Sequence, residues 1–225
     1  MFKRTGNILL GVFGKRIYVL TRNVYLFLRF KIFYSLVGVF INKNRKFQIE
    51  GQHFSFPPYP LNMYGMKFQF YELSERRLIK NHIKKNDTIL ELGANVGVVS
   101  CITNQIIEKK TNHIVVEPNP NIIPYLKANK KTNQSGFIIE QSIISDQFSE
   151  IKFNIDKNYL ASSVYEHDEL NLTEQITVQC STLDTLSSKH NLKFDTLIMD
   201  IEGHEYDFLM ENNLTNFKKN DYRIS

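Results

Sequence analysis

Glu91, Gly93, Asn95 and Gly97 sit in one run, Asp87 to Cys101, DTILELGANVGVVSC, and their types and spacing suit a nucleotide-like ligand. Glycines at a strand-to-helix corner let a ligand approach the backbone, and the helix N-terminus that follows offers N–H groups to an anion. Glu117 lies 20 residues beyond Gly97, at the end of the next apolar run, where a carboxylate can accept both hydroxyls of a ribose. A second acidic group follows the apolar run Phe194 to Met199: Asp200, with Glu202, His204 and Glu205 just beyond. A carboxylate there could take a proton from a hydroxyl, bind it by hydrogen bonds, or hold a divalent ion. Asp200 is the favoured base, although Asp also suits the N-cap of a following helix.

These groups need elements that bring strand ends together. Thr88, Ile89 and Leu90 are β-prone and apolar, while Val99, Ile102 and Ile106 recur at helical spacing, so the glycines fall at the corner between them. His113 to Val116 predicts a second strand, and Pro118, Asn119, Pro120 and Asn121 predict the start of another helix, with proline in the first turn and asparagine as cap. A third strand is expected near Phe137 to Glu140, then β-rich stretches at Ile151 to Ile155 and Ile176 to Cys180, then the buried strand ending at Met199. Before all of these, Tyr71 to Lys84 predicts a helix with Tyr71, Leu78, Ile79 and Ile83 on its packed side. Strands alternating with helices imply an α/β fold, a doubly wound and mostly parallel sheet whose ligands sit at the carboxyl ends of its strands.

The glycine pattern separates two cofactor classes. A dinucleotide site usually has G-x-G-x-x-G, the middle glycine making room for pyrophosphate. Here Ala94 and Asn95 fill the interior, and no Tyr-Lys or His-Asp pair suited to an NAD-dependent oxidoreductase is evident. E-L-G-A-N-V-G instead resembles the first motif of class I S-adenosylmethionine-dependent methyltransferases. Asp195 to Glu205, DTLIMDIEGHE, resembles the I-D-x-E-G-x-E signature of the FkbM family within that class, with Met199 in place of the leading Ile. Three further matches follow the family's order: VVEPNP at Val115 to Pro120, IISD at Ile143 to Asp146, and STLDTL at Ser181 to Leu186.

This resemblance spans about Tyr71 to Asn212. It implies a Rossmann-like methyltransferase sheet and methyl transfer from S-adenosylmethionine to a hydroxyl of a sugar, glycolipid or related metabolite. On that reading Gly93 and Gly97 admit the methionine part, Glu91 and Asn95 orient it, and Glu117 holds the ribose. Gln141 and Ser142, just past the third strand, are candidates for the adenine rim, as is Asp146. His204 occupies the variable x of the signature, which places it in a second shell or facing the acceptor rather than as the base; Asp200, Glu202 and His204 form the catalytic candidates. No metal ligand set is predicted, although a divalent ion remains chemically open at Asp200 and Glu202.

Composition bounds the partners. The chain has 225 residues, 42% of them hydrophobic, and a net charge of +5, so it can bury a full α/β core. The first ten Lys and Arg, up to Lys46, meet no acid before Glu50, and the remaining 18 bases face 23 acids. The globular part is therefore net acidic, and nucleic acid is not expected as a partner. Residues 1–50 form a basic, apolar N-terminal extension, read as helical, in which charges interrupt every apolar run. It is unsuited to spanning a bilayer, yet suited either to a membrane interface or to packing on the main domain. Residues 51–70, with FSFPPYP at Phe54 to Pro60, read as a proline-containing linker, and 71–225 as the methyltransferase domain. Cys101 and Cys180 lack disulfide or zinc spacing and read as reduced, buried thiols of a cytoplasmic protein, peripheral to the inner membrane face if the extension binds lipid. His53, His82, His113, His167 and His190 have no partner spacing and are expected on the surface or in packing.

A domain of the resembled family continues into a fifth strand, a helix and an antiparallel pair, whereas this sequence ends at Tyr222 to Ser225. The domain is thus expected to be truncated at its C-terminal strands. That leaves a competing expectation, a catalytically inactive fragment that keeps a cofactor pocket or binds a partner. An acceptor of small-molecule or glycan type remains the leading one.

Overall fold

A computed structural model describes residues 46–57, 72–156, 172–201, 205–212 and 214–217. The basic extension before Lys46, most of the proline-containing stretch, Glu202, Gly203, His204 and the C-terminal YRIS lie outside the described residues.

The described chain opens on a hairpin. Strands β1 (Lys46–Ile49) and β2 (Gln52–Ser55) pair antiparallel, with Phe47, Ile49 and Phe54 buried in alternation. Its two turn residues, Glu50 and Gly51, have φ of 51° and 81°, the left-handed pair whose twist suits a two-residue hairpin. This hairpin crosses the position at which the sequence pattern passes from extension to linker. Glu50 carries the turn onto helix α1 (Leu73–His82): its carboxylate meets Arg76 Nη1 at 2.6 Å and Lys80 Nζ at 2.5 Å. Arg76 and Ile79 are the buried residues of α1, while Leu78, expected on the packed side, is 41% exposed. The inward position goes to an arginine because the hairpin turn supplies its counter-charge.

The central sheet is parallel, in the order β5-β4-β3-β9. Its strands are β3 (Ile89–Leu92), β4 (His113–Val116), β5 (Ile138–Glu140) and β9 (Thr196–Met199). Every residue of β3 and β4 is buried, which is why both read as continuous apolar runs rather than alternating ones. Leu90, Leu92, Ile114, Val116, Leu197 and Met199 point to one face and form the main core with Leu186, Phe194, Phe208 and Phe217. The opposite face carries Ile89, Glu91, His113 and Val115, and there Ser100 of α2 (Val98–Ile106) reaches Glu91.

Helix α3 (Ile123–Thr132) begins later than Pro118 to Asn121 had suggested, with Pro124 in its first turn. Asn119 instead accepts a hydrogen bond from Asn121 N at 3.0 Å, forming a turn that precedes the helix. The reason lies upstream: Glu117 binds Asn119 N and holds the chain against the end of β4.

A second sheet, in the order β6-β8-β7, comprises β6 (Ile143–Ile144), β7 (Glu150–Asp156) and β8 (Leu172–Ser181). Alternating Phe153, Ile155 and Val178 join Ile143 in its own small core. Helix α4 (Leu183–His190) follows, capped by Thr182, whose Oγ1 accepts from Thr185 N at 3.0 Å. The last described helix is α5 (Glu205–Glu211).

Candidate functional site

The corner after β3 is built by hydrogen bonds from two neighbouring strands. Gly93 N donates to Val116 O at 3.0 Å, Asp200 N donates to Leu92 O at 3.0 Å, and Gly97 N closes the loop on Ala94 O at 2.8 Å. The ends of β3, β4 and β9 are thereby fixed to one another. Gly93, Asn95 and Gly97 all have positive φ (81°, 49° and 84°), which glycine adopts freely and asparagine more readily than most residues. Packing adds to this at both glycines, against backbone at Gly93 and against a side-chain end at Gly97. A Cβ on Gly93 would lie 1.8 Å from Asp200 O, and one on Gly97 would lie 2.5 Å from Leu126 Cδ1.

Glu117 stands at the end of β4, facing this loop. Its Oε2 accepts from Asn95 N at 2.8 Å and its Oε1 from Asn119 N at 2.9 Å. Each oxygen keeps acceptor capacity beyond the bond it already makes, so the group can receive two adjacent hydroxyls. Burial pushes the carboxyl from 4.5 up to about 7; the two N–H bonds pull the other way, and the Glu91 charge adds to the rise.

Among the nine buried side-chain polar atoms that make no hydrogen bond among the described residues are Asn95 Oδ1 in the loop and Ser142 Oγ just past β5. Unpaired buried acceptors and hydroxyls are costly, and both belong to residues that the sequence assigns to a ligand. With the Glu117 carboxylate they fit a nucleoside bearing a ribose diol and further polar groups. Gln141 is exposed directly after β5, whose last residue Glu140 is taken by Lys189 and His190, both at 2.7 Å. Asp146 is exposed in the turn beyond β6, outside the parallel sheet.

Glu91 lies beneath the loop rather than on its open side. It is buried, with Oε1 accepting from Ser100 Oγ at 2.6 Å and Oε2 at 2.8 Å from His113 Nε2. His113 therefore does have a partner, against the expectation from spacing. The two meet because parallel pairing sets Ile89 opposite His113 and places position 91 on the same face. An acid and a histidine on facing strands, each at an otherwise apolar position, were the available signal.

Residues 91–221, more than half of the chain, match the family model described as the methyltransferase FkbM domain. The chain belongs to the FkbM methyltransferase family. S-adenosylmethionine is the cofactor of that methyltransferase class. No curated protein sequence matches the chain. A solved structure described as a SAM-dependent methyltransferase from Agrobacterium tumefaciens aligns over 43% of this chain, at 14% identity and a TM-score of 0.28. The chain covers 31% of that protein's length.

The FkbM signature itself falls partly outside the described residues, which include neither Glu202 nor His204. Asp200 is exposed at the end of β9, and its backbone flanks Gly93. Glu205 is buried and accepts from Ile201 N at 3.0 Å, tying α5 back to the residue after Asp200. Among the described residues no group of His, Cys, Asp and Glu is arranged to hold a metal. Both cysteines are free; Cys101 is buried and burial pushes its thiol up to about 12, whereas Cys180, expected buried, is half-buried. The residues that spacing missed are Asn119, Ser100, His113 and, on α3, Asn129.

Proposed function

We propose that this protein is an S-adenosylmethionine-dependent O-methyltransferase acting on a hydroxyl of a sugar, glycolipid or related metabolite. One observation carries the proposal: a buried carboxylate, Glu117, held by Asn95 N and Asn119 N at the end of β4 beside a glycine loop. The bound sulfonium supplies an already activated methyl group, so the chain's own work is to bind, align and exclude water. Glu117 would receive the ribose hydroxyls, Asn95 Oδ1 the amino end of the donor, and Ser142 Oγ, with Gln141, the adenine edge. Asp200, at the end of β9, would accept the acceptor's hydroxyl proton as its oxygen gains the methyl group. Glu202 and His204 would line the acceptor side.

Isothermal titration with S-adenosylmethionine, with NAD as the competitor ligand, tests this directly: heat with the former and none with the latter is expected. Silence toward S-adenosylmethionine would remove the reading altogether. Asp200→Ala is expected to bind the donor as wild type does and to lose about 100-fold in turnover with an accepted substrate. Weakened donor binding in that variant would move Asp200 into the cofactor site.

The site of action is proposed to be the cytoplasmic face of a membrane. Support comes from the basic, aromatic-rich composition of residues 1–50, which suits an anionic interface. No helix among the described residues is long and apolar enough to cross a membrane. Flotation with anionic liposomes is expected for the full chain and not for a chain lacking residues 1–45, a deletion that spares the β1–β2 hairpin; equal flotation would end this part of the proposal.

A further inference from the structure

The side-chain amide of Asn129 joins two parts of the molecule that are far apart in sequence. Asn129 is buried in α3, and its Nδ2 donates both to Val96 O at 2.8 Å and to Ser55 O at 2.9 Å. Its Oδ1 accepts from Ser55 N at 2.7 Å. Both amide hydrogens are therefore used, and turning the amide over would set its oxygen against two carbonyl oxygens. One helical turn later, Asn133 repeats the hairpin half of the pattern: Oδ1 accepts from His53 N and Nδ2 donates to His53 O, each at 2.9 Å, and that Nδ2 also reaches Asn129 O at 2.9 Å and Cys101 Sγ at 3.9 Å.

The two asparagines act on β2 as a neighbouring strand would. Four residues of helix advance about 6 Å and two residues of strand about 6.6 Å, so positions 129 and 133 fall in step with residues 55 and 53. The free edge of the hairpin is covered by this means. The bond to Val96 is the additional element, because Asn133 makes no counterpart to it.

Val96 lies between two residues with positive φ, Asn95 and Gly97; its carbonyl shares a peptide with Gly97 N, which donates to Ala94 O at 2.8 Å, and Ala94 O shares a peptide with the Asn95 N–H, so the two peptides are coupled. That N–H donates to Glu117 Oε2. One turn before Asn129, Leu126 occupies the space that a Cβ on Gly97 would need. We infer that Asn129 is a positioning residue for the cofactor: through the Val96 carbonyl it sets the loop that presents Asn95 to Glu117, and it ties that loop to the β1–β2 hairpin. The inference rests on reading residues 93–97 as the S-adenosylmethionine site.

Its test compares Asn129→Asp, which keeps an acceptor for Ser55 N and loses both donors, with Asn133→Asp, which disturbs the hairpin bonds, the bond to Asn129 O and the contact with Cys101 Sγ on α2 but no bond to the glycine loop. Thermal melts, titration with S-adenosylmethionine and amide hydrogen exchange are measured on the full-length chain. Both variants are expected to melt lower than wild type. Only the Asn129 variant is expected to bind the donor about tenfold more weakly, the equivalent of one hydrogen bond. Only it is expected to exchange the Asn95 amide faster in the unliganded protein while Leu90 in β3 stays protected. Equal effects of the two variants on affinity and on Asn95 exchange would overturn the inference, as would an unchanged Asn95 amide in the Asn129 variant. If Asn129→Asp does not fold, Asn129→Ser carries the same comparison without a buried charge. A wild-type chain that binds no donor would refute the cofactor reading, whereas the exchange result still decides whether Asn129 sets the loop.

Discussion

Glu117→Gln is expected to weaken S-adenosylmethionine binding by about 10- to 100-fold at pH 8 and to abolish the pH dependence of that binding. The wild-type carboxyl ordinarily ionises near 4.5 and burial lifts it to about 7. At pH 6 most unliganded molecules therefore carry a protonated Glu117, a poorer acceptor for ribose hydroxyls than the carboxylate. Donor affinity should rise with pH by up to about tenfold per unit below 7 and level off above it. Stability of the unliganded protein should run in the opposite direction. The folded state holds this proton more tightly than the unfolded state, so the group's contribution to stability falls as pH rises from about 4.5 to about 7. Glutamine has no proton to lose and should flatten both curves. Calorimetric titrations at pH 6, 7 and 8, with urea denaturation at the same values, measure the two together. A wild-type affinity that does not change with pH, or a glutamine variant with the same slope, would show that Glu117 does not bind the donor in its ionised form.

The environment that tunes Glu117 was only half legible in the sequence. Its place followed from the apolar run HIVV, which the structure reproduces as β4 with the same ends. A central parallel strand is buried on both faces, so its residues are apolar without interruption and its limits stand out. The companions of Glu117 come from tertiary contacts. Asn119 read as part of a helix start, and only the pull of Glu117 on its N–H turns the chain into an extra bend before α3. Nothing in the sequence singles out Asn129, because its partners, Ser55 and Val96, lie 74 and 33 residues away.

The hairpin was hidden for a different reason. Lys46 to Ser55 alternates correctly, but its turn is Glu-Gly, and the Asn-Gly or Asp-Gly pair that marks such turns is missing. Glu50 tolerates φ of 51° in a fold where its side chain gains Arg76 and Lys80, a compensation invisible until α1 is placed. The pairing of Glu91 with His113 was likewise a matter of strand register, which spacing along the chain does not encode. Motif and periodicity thus located the ends of the strands, whereas the contacts that orient those ends depended on register and helix placement.

Gly93→Ala is expected to be the most damaging of three glycine substitutions, because its neighbours cannot yield. The new Cβ would stand 1.8 Å from Asp200 O and 2.8 Å from Asp200 C, both backbone atoms pinned by the bond from Asp200 N to Leu92 O. Alanine in the left-handed region costs about 1–2 kcal/mol, and forcing atoms into a packed site typically costs a further ~1–3 kcal/mol. A total of about 3 kcal/mol or more is a large share of the ~5–15 kcal/mol by which domains are stable. At Gly97 the obstacle is Leu126 Cδ1 at 2.5 Å, the end of a side chain that can change rotamer, so the loss should be smaller. At Gly51 a Cβ meets no atom within 4 Å, which leaves only the left-handed backbone cost of about 1–2 kcal/mol. Urea denaturation should rank the variants Gly93→Ala, Gly97→Ala, Gly51→Ala in falling order of damage. Equal losses at Gly93 and Gly51 would mean that the end of β9 can retreat from β3. Such a retreat would also carry Asp200 away from the loop, and turnover in that variant would then fall further than its stability predicts.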